Sequence, residues 1–353
     1  MERPTAEAFQ RLAHDAGFLL AGVAPAAPLA HYPLFRDWAD AGLAGPMGYL
    51  LDHRGDIRQD PRLLMPAAKS VLCLGKLYKT VNLPDPAVSS YAWGSEDYHD
   101  TLRRGMEALV ARLQELWGPF GHRTCVDTAP LLERSLAREA GLGWIGRNTC
   151  LINQTNGSWF FLGEILVDIE LTPGMPPPDR CGTCCRCIDA CPTEALVPAP
   201  TPSGFRLDAR RCIPTLTIEQ KGPVDPEMLP ATGHHLFGCD ICQEVCPWNR
   251  RAPSTDEPGF QPVTPNPDLE EMAALTAEGF GEQFRMTPVW RVKYSGWLRN
   301  VATAMGNSGD ARHRPALERL SLHDDAGVAA HARWALARLA DSGAEEPGVE
   351  DQD

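Results

Sequence analysis

Apolar positions along the first half of the chain alternate between helical and strand periods, and the changes of period mark its elements. Residues 6–17 carry apolar side chains at helical spacing, and Gly17 to Pro25 (GFLLAGVAP) read as a strand after them. The run from Tyr32 to Leu51 is expected to be a helix. Ser70–Tyr78 is almost continuously apolar, as a strand covered on both faces would be. Residues 98–117 return to helical spacing and should pack on the sheet. A short strand at Arg123–Asp127, a helix at Pro130–Ala140 and a strand at Trp159–Val167 follow. The alternation predicts an α/β domain of roughly 175 residues. PGMPPPDR at 173–180 is a natural linker. Beyond Pro253 the pattern turns helical, and the Ala-rich stretches 300–310 and 330–339 share a pattern about 30 residues apart, as in a short HEAT-like pair docked on the rest.

A chain of 353 residues suits two or three domains, and 43% hydrophobic content can fill their cores. No run approaches the ~20 apolar residues of a membrane helix. The N-terminal segment has no basic region and no twin arginine, so no export signal is expected and a cytoplasmic, monomeric protein is. The net charge of −13 opposes nucleic-acid binding by bulk charge. It is unevenly spread. Asp341, Glu345, Glu346, Glu350, Asp351 and Asp353 lie in an acidic tail over 341–353, expected to be disordered. Residues 285–340 carry nine Arg or Lys against four acids, a local +5.

Twelve cysteines change the picture most. Without an export signal, metal or redox roles outweigh disulfides. Cys181, Cys184, Cys187 and Cys191-Pro192 have the spacing of bacterial ferredoxins, and Cys239, Cys242 and Cys246-Pro247 end the same way, with Cys212 between. The crossed pattern suggests two [4Fe–4S] clusters: Cys181, Cys184, Cys187 and Cys246 on one, Cys191, Cys212, Cys239 and Cys242 on the other. Paired C-x2-C units also build zinc ribbons, but the Cys-Pro ends favour cubanes. Cys185 is then a spare thiol. Clusters only move electrons, so a centre elsewhere must consume them. No dinucleotide or phosphate-loop motif marks it. Asp127, ending an apolar strand, is either a helix cap or a buried proton donor.

Five segments taken together resemble one family: Asp127-Thr-Ala-Pro-Leu-Leu-Glu-Arg134, Gly143-Trp-Ile-Gly-Arg-Asn-Thr149, Gly157 to Ile165, Cys181–Pro192 and Cys239–Pro247. They are similar to the epoxyqueuosine reductases, cobalamin-dependent enzymes that complete queuosine in tRNA. Further matches, among them Arg58-Gln-Asp-Pro-Arg62, Asp97-Tyr-His99 and Ile218-Glu-Gln-Lys-Gly222, extend the resemblance over about residues 5–340. It implies a multidomain α+β and α/β fold: a corrinoid-binding α/β domain (1–175), a two-cluster ferredoxin module (176–255) and a HEAT-like, tRNA-contacting segment (256–340). It makes Asp127 the proton donor to the opening epoxide at the wobble base. Arg58, Tyr98, His99, Asp127, Asn148, Ser158 and Glu164 become candidate cobalamin contacts. Lys221, Arg291, Lys293 and Arg299, near Trp290, Tyr294 and Trp297, become candidate tRNA contacts. An external low-potential donor would supply electrons. The competing readings are a corrinoid reductive dehalogenase and a bare two-cluster electron-transfer protein.

Overall fold

A computed structural model describes residues 3–342, so most of the acidic segment 341–353 lies outside the described residues. The chain divides into two compact units, one of residues up to 82, 94–210 and 240–262, the other of 83–93, 211–239 and 263 onward. The cysteine-rich segment expected as a module of its own over 176–255 contributes to both.

In the first unit, α1 (Ala6–Asp15) is capped by Thr5, whose Oγ1 accepts the Ala8 N–H, and it buries Phe9 and Ala13. Strand β1 (Leu20–Pro25) follows, then α2 (Tyr32–Asp40), the short α3 (His53–Ile57) and β2 (Ser70–Leu77). Helix α4 (Tyr98–Trp117) leads to β3 (His122–Cys125) and α5 (Glu133–Glu139). A hairpin of β4 (Trp144–Ile145) and β5 (Leu151–Ile152) precedes β6 (Phe160–Val167). The sheet order is β1-β2-β6-β3, and every pairing is antiparallel. The alternation of strands and helices left strand direction open. Hydrophobic period identifies an element but carries no information on which way its neighbour runs.

Both faces of this sheet are covered, which is why β2 and β6 are apolar nearly throughout. On one face α4 lays Leu102 and Met106 over Gly163, where a Cβ would fall 2.8 Å from the Met106 sulfur. Its buried Leu102, Met106, Leu109, Val110 and Leu113 contribute roughly 1.5–3 kcal/mol each. On the other face Leu136 and Ala137 of α5 share a core with Cys73, Cys125 and Leu166. Here α5 approaches so closely that a Cβ at Gly22 would collide with the Ala140 carbonyl. The unit is completed by α6 (Arg186–Asp189), a hairpin of β7 (Leu196–Pro198) and β8 (Phe205–Leu207), and α7 (Ile241–Glu244).

The second unit is helical: α8 (Leu269–Ala274), α9 (Ala277–Phe284), α10 (Lys293–Ser308), α11 (Arg314–Leu320) and α12 (Ala326–Ser342). Its core gathers Trp93, Phe237, Phe280, Trp297, Met305, Leu317 and Val328. Small residues bring α10 and α12 together, since a Cβ on Gly306 would lie 2.6 Å from that of Ala335.

Candidate active site and cysteine cradle

Asp127 lies just past β3 with φ +49°, a left-handed conformation uncommon outside glycine. Two neighbours hold it there. Its N–H donates to Glu133 Oε1 at 2.7 Å, from the first turn of α5. Its Oδ2 lies 3.2 Å from Nε2 of His99, whose Nδ1 is 2.6 Å from Asp97 Oδ1. Asp97 also caps α4 by accepting the His99 N–H at 3.0 Å, so one carboxylate orients both backbone and ring. The ring stacks on Tyr98, which in turn stacks on Phe161 at 4.2 Å and 9°. The capping alternative for Asp127 finds no counterpart, because α5 begins at Glu133 without a side-chain cap.

Charge is concentrated here. Burial works against the His99 imidazolium, but the hydrogen bonds and negative charge of Asp127 and Asp97 outweigh it and pull its pKa up to about 9. Glu133 is pushed up to about 7, by burial first and then by the charge of Asp127. Behind it, Glu164 of β6 stands between Cys73 on β2 and Cys125 on β3. Glu164 has no exposed surface, and among the described residues neither of its oxygens meets an N–H or hydroxyl donor. What it faces is the Glu133 carboxyl, and a hydrogen bond between the two requires a proton on one. Burial, then Glu133, raise Glu164 well above the carboxylate range. Glu164, expected as a cofactor contact, has no exposed surface and faces Glu133.

Of the other expected contacts, Arg58 is buried, with its Nη1 lacking an acceptor among the described residues. Asn148 is anchored on both sides: its Nδ2 donates to the Cys242 carbonyl at 3.3 Å and its Oδ1 accepts the Cys150 N–H. Ser158 is held by Gln243 and Asn249, receiving the Gln243 Nε2 at 3.0 Å.

Cys181, Cys184, Cys187 and Cys246 line one pocket, the four thiols that the ferredoxin spacing groups together. Trp144 and Trp248, packed edge to face at 5.0 Å, give it an apolar wall. Arg147, Asn148, Ile152 and Arg186 share the lining with these thiols. Arg147 braces the loop, donating to the carbonyls of Gly182 (2.8 Å) and Cys184 (3.2 Å) and to Cys185 Sγ (2.9 Å). Cys185 is thereby engaged outside the pocket lining. In the other set, Cys191 Sγ accepts the Ala195 N–H at 3.3 Å. Cys212 and Cys239 belong to the second unit, so their grouping with Cys191 and Cys242 rests on spacing alone.

In the second unit Lys221, Arg291 and Lys293 are exposed, and Lys293 Nζ lies 4.7 Å above the Trp290 ring. Arg299, expected at an RNA-facing surface, is only 2% exposed. Its guanidinium donates to the carbonyls of Leu216 (2.9 Å), Gln220 (2.6 Å) and Gly222 (2.9 Å), fixing the turn that carries Lys221. Trp297 is likewise fully buried and offers no face to a base. Two residues apart, they lie on different sides of α10, which is buried all round from Trp297 to Gly306. Three residues of the site escaped the sequence reading: Asp97, Glu133 and Arg147. All lie inside motifs quoted for the resemblance, and only the fold shows what they touch.

The model of a family described as epoxyqueuosine reductase QueG, DUF1730 matches residues 58–128, and that of a 4Fe-4S double cluster binding domain matches 180–249. An epoxyqueuosine reductase of Xanthomonas campestris pv. campestris is 43% identical over 93% of this chain and 94% of its own length. The chain belongs to the epoxyqueuosine reductases. The Pseudomonas aeruginosa epoxyqueuosine reductase is 40% identical over 94% of both chains. Among solved structures, an epoxyqueuosine reductase crystallised with an epoxyqueuosine-modified tRNA-Tyr stem loop superposes with a TM-score of 0.85 at 27% identity, covering 98% of this chain and 95% of the other. As an epoxyqueuosine reductase the chain is an oxidoreductase of tRNA modification, and the dehalogenase and bare electron-transfer readings fall away.

Proposed function

We propose that this chain reduces the epoxide of epoxyqueuosine at the wobble position of tRNA, with Asp127 as proton donor. The observation that carries the reading is the setting of Asp127, presented in a left-handed turn between Glu133 and an imidazole. As a C–O bond opens, charge gathers on oxygen, and a positioned carboxyl neutralises it. Glu133 fixes the backbone of that carboxyl, and His99 fixes one of its oxygens.

Cobalamin fits the first unit through the buried, acceptor-free Nη1 of Arg58, a donor suited to a corrinoid carbonyl or phosphate. Tyr98, Asn148 and Ser158 would complete the hold. Bound there, the corrinoid supplies a low-potential two-electron reductant. Cys181, Cys184, Cys187 and Cys246 would carry one [4Fe–4S] cluster, and Cys191, Cys212, Cys239 and Cys242 a second, fed by an external donor. The crystallised relative bound to a tRNA stem loop supports tRNA as the partner, and the exposed Lys221, Arg291 and Lys293 would be its phosphate contacts, beside a HEAT-like pair of α10 and α12.

Asp127→Asn tests this reading. The substitution keeps the shape and removes the proton, so iron, cobalt and tRNA affinity should match the parent while turnover drops ~10²-fold or more. A fully active variant would remove Asp127 from the mechanism.

A further inference from the structure

Reducing an epoxide to an alkene and water takes two electrons and two protons. Two C–O bonds break, two O–H bonds form, and an electron pair ends in the new C=C bond. If Asp127 is the donor, a reading on which this inference rests, its single carboxyl must be recharged within each reduction. The structure contains a path for that. Asp127 Oδ2 meets His99 Nε2 at 3.2 Å, and His99 Nδ1 meets Asp97 Oδ1 at 2.6 Å. The side chains of His99 and Asp97 are 18% and 31% exposed, so water reaches the ring as well as the carboxylate that orients it.

We propose that Asp97 and His99 form a relay that reloads Asp127 between its two proton transfers. The Nε2–H of His99 passes its proton to Asp127 Oδ2, and Asp127 delivers it to the oxygen leaving carbon. The emptied Nε2 takes the next proton from water at the exposed part of the ring, while Nδ1–H stays bonded to Asp97 Oδ1. The electrons arrive separately, from the reductant that the reductase reaction already requires. His99 acts through Asp127 and is therefore a positioning and relay residue.

The groups facing His99 are Asp97 at the cap of α4, Asp127 after β3, Glu133 on α5 and the ring of Tyr98. The hydrogen bonds and charge of Asp127 and Asp97 favour the imidazolium, with a pKa of about 9 despite burial. The relay is thus loaded at neutral pH and empties as the pH rises through that value.

The test is the turnover of the cofactor-loaded enzyme on epoxide-bearing tRNA from neutral to alkaline pH, together with an NMR titration of the His99 ring. Wild-type turnover should fall on the alkaline side near pH 9. His99→Gln, with comparable reach but no titration, should lose ~10²-fold in rate and lose that alkaline limb, with cofactor content and tRNA affinity unchanged. In Asp97→Asn and Asp127→Asn the ring should titrate lower, toward the ordinary ~6.5. Wild-type rate and an unchanged limb in His99→Gln would overturn the relay. Should that variant not fold, Asp97→Asn decides: its alkaline limb must move down, and an unmoved limb overturns the relay. A fully active Asp127→Asn sinks the donor reading itself, whereas an inactive one beside an unaffected His99→Gln sinks the relay alone.

Discussion

Glu133 and Glu164 face each other inside the fold, both raised above the carboxylate range by burial first, so the pair is most stable while it keeps a proton. This has a sign in the pH dependence of folding. A carboxyl whose folded pKa lies above its unfolded value binds more protons in the native state. Stability therefore falls as the pH rises through the window between them, here from 4.5 to about 7 for Glu133. His99 adds a fall in the same direction from 6.5 to about 9. Glu164→Gln gives Glu133 a permanent amide donor. Thermal unfolding across pH should lose much of the lower slope and keep the upper one; an unchanged lower slope would show that the two carboxyls share no proton. At this scale the sequence was only partly legible. Asp127 stood out because it ends an apolar run, and the resemblance named its role. Glu133 lay in the same motif unremarked, because its importance comes from a backbone N–H that only the fold brings to it.

Elements were read more securely than residues. The expected helix at 98–117 is α4, and the strands expected at Ser70–Tyr78 and Trp159–Val167 are β2 and β6 within a residue. Long amphipathic or doubly covered runs carry their own signature, whereas strand direction and the face a cation occupies do not. Arg299 shows the second failure. On α10 it points into the unit and ties the 216–222 turn by its carbonyls, and burial lowers its pKa to about 10. Arg299→Ala would leave three carbonyls without their donor, so denaturant unfolding should show a loss of ~3 kcal/mol or more. A loss below ~1 kcal/mol would return Arg299 to the surface role first expected of it.

The whole chain keeps a cysteine cradle and an acid site in its first unit, while the basic residues expected to meet tRNA lie in the second. The ferredoxin-type spacing was legible because iron ligation fixes residue type and separation together. That the cysteine-rich segment is shared between units was not, since spacing says nothing of where the intervening chain packs. The proposed reaction requires both cofactors to act together. Anaerobic reconstitution with iron, sulfide and cobalamin, followed by metal analysis and turnover on tRNA carrying the epoxide, tests that most directly. About eight iron and one cobalt per chain, with conversion of the epoxide to the alkene, is the predicted result. Eight iron with no cobalt, and an epoxide reduced as fast without cobalamin as with it, would contradict the account.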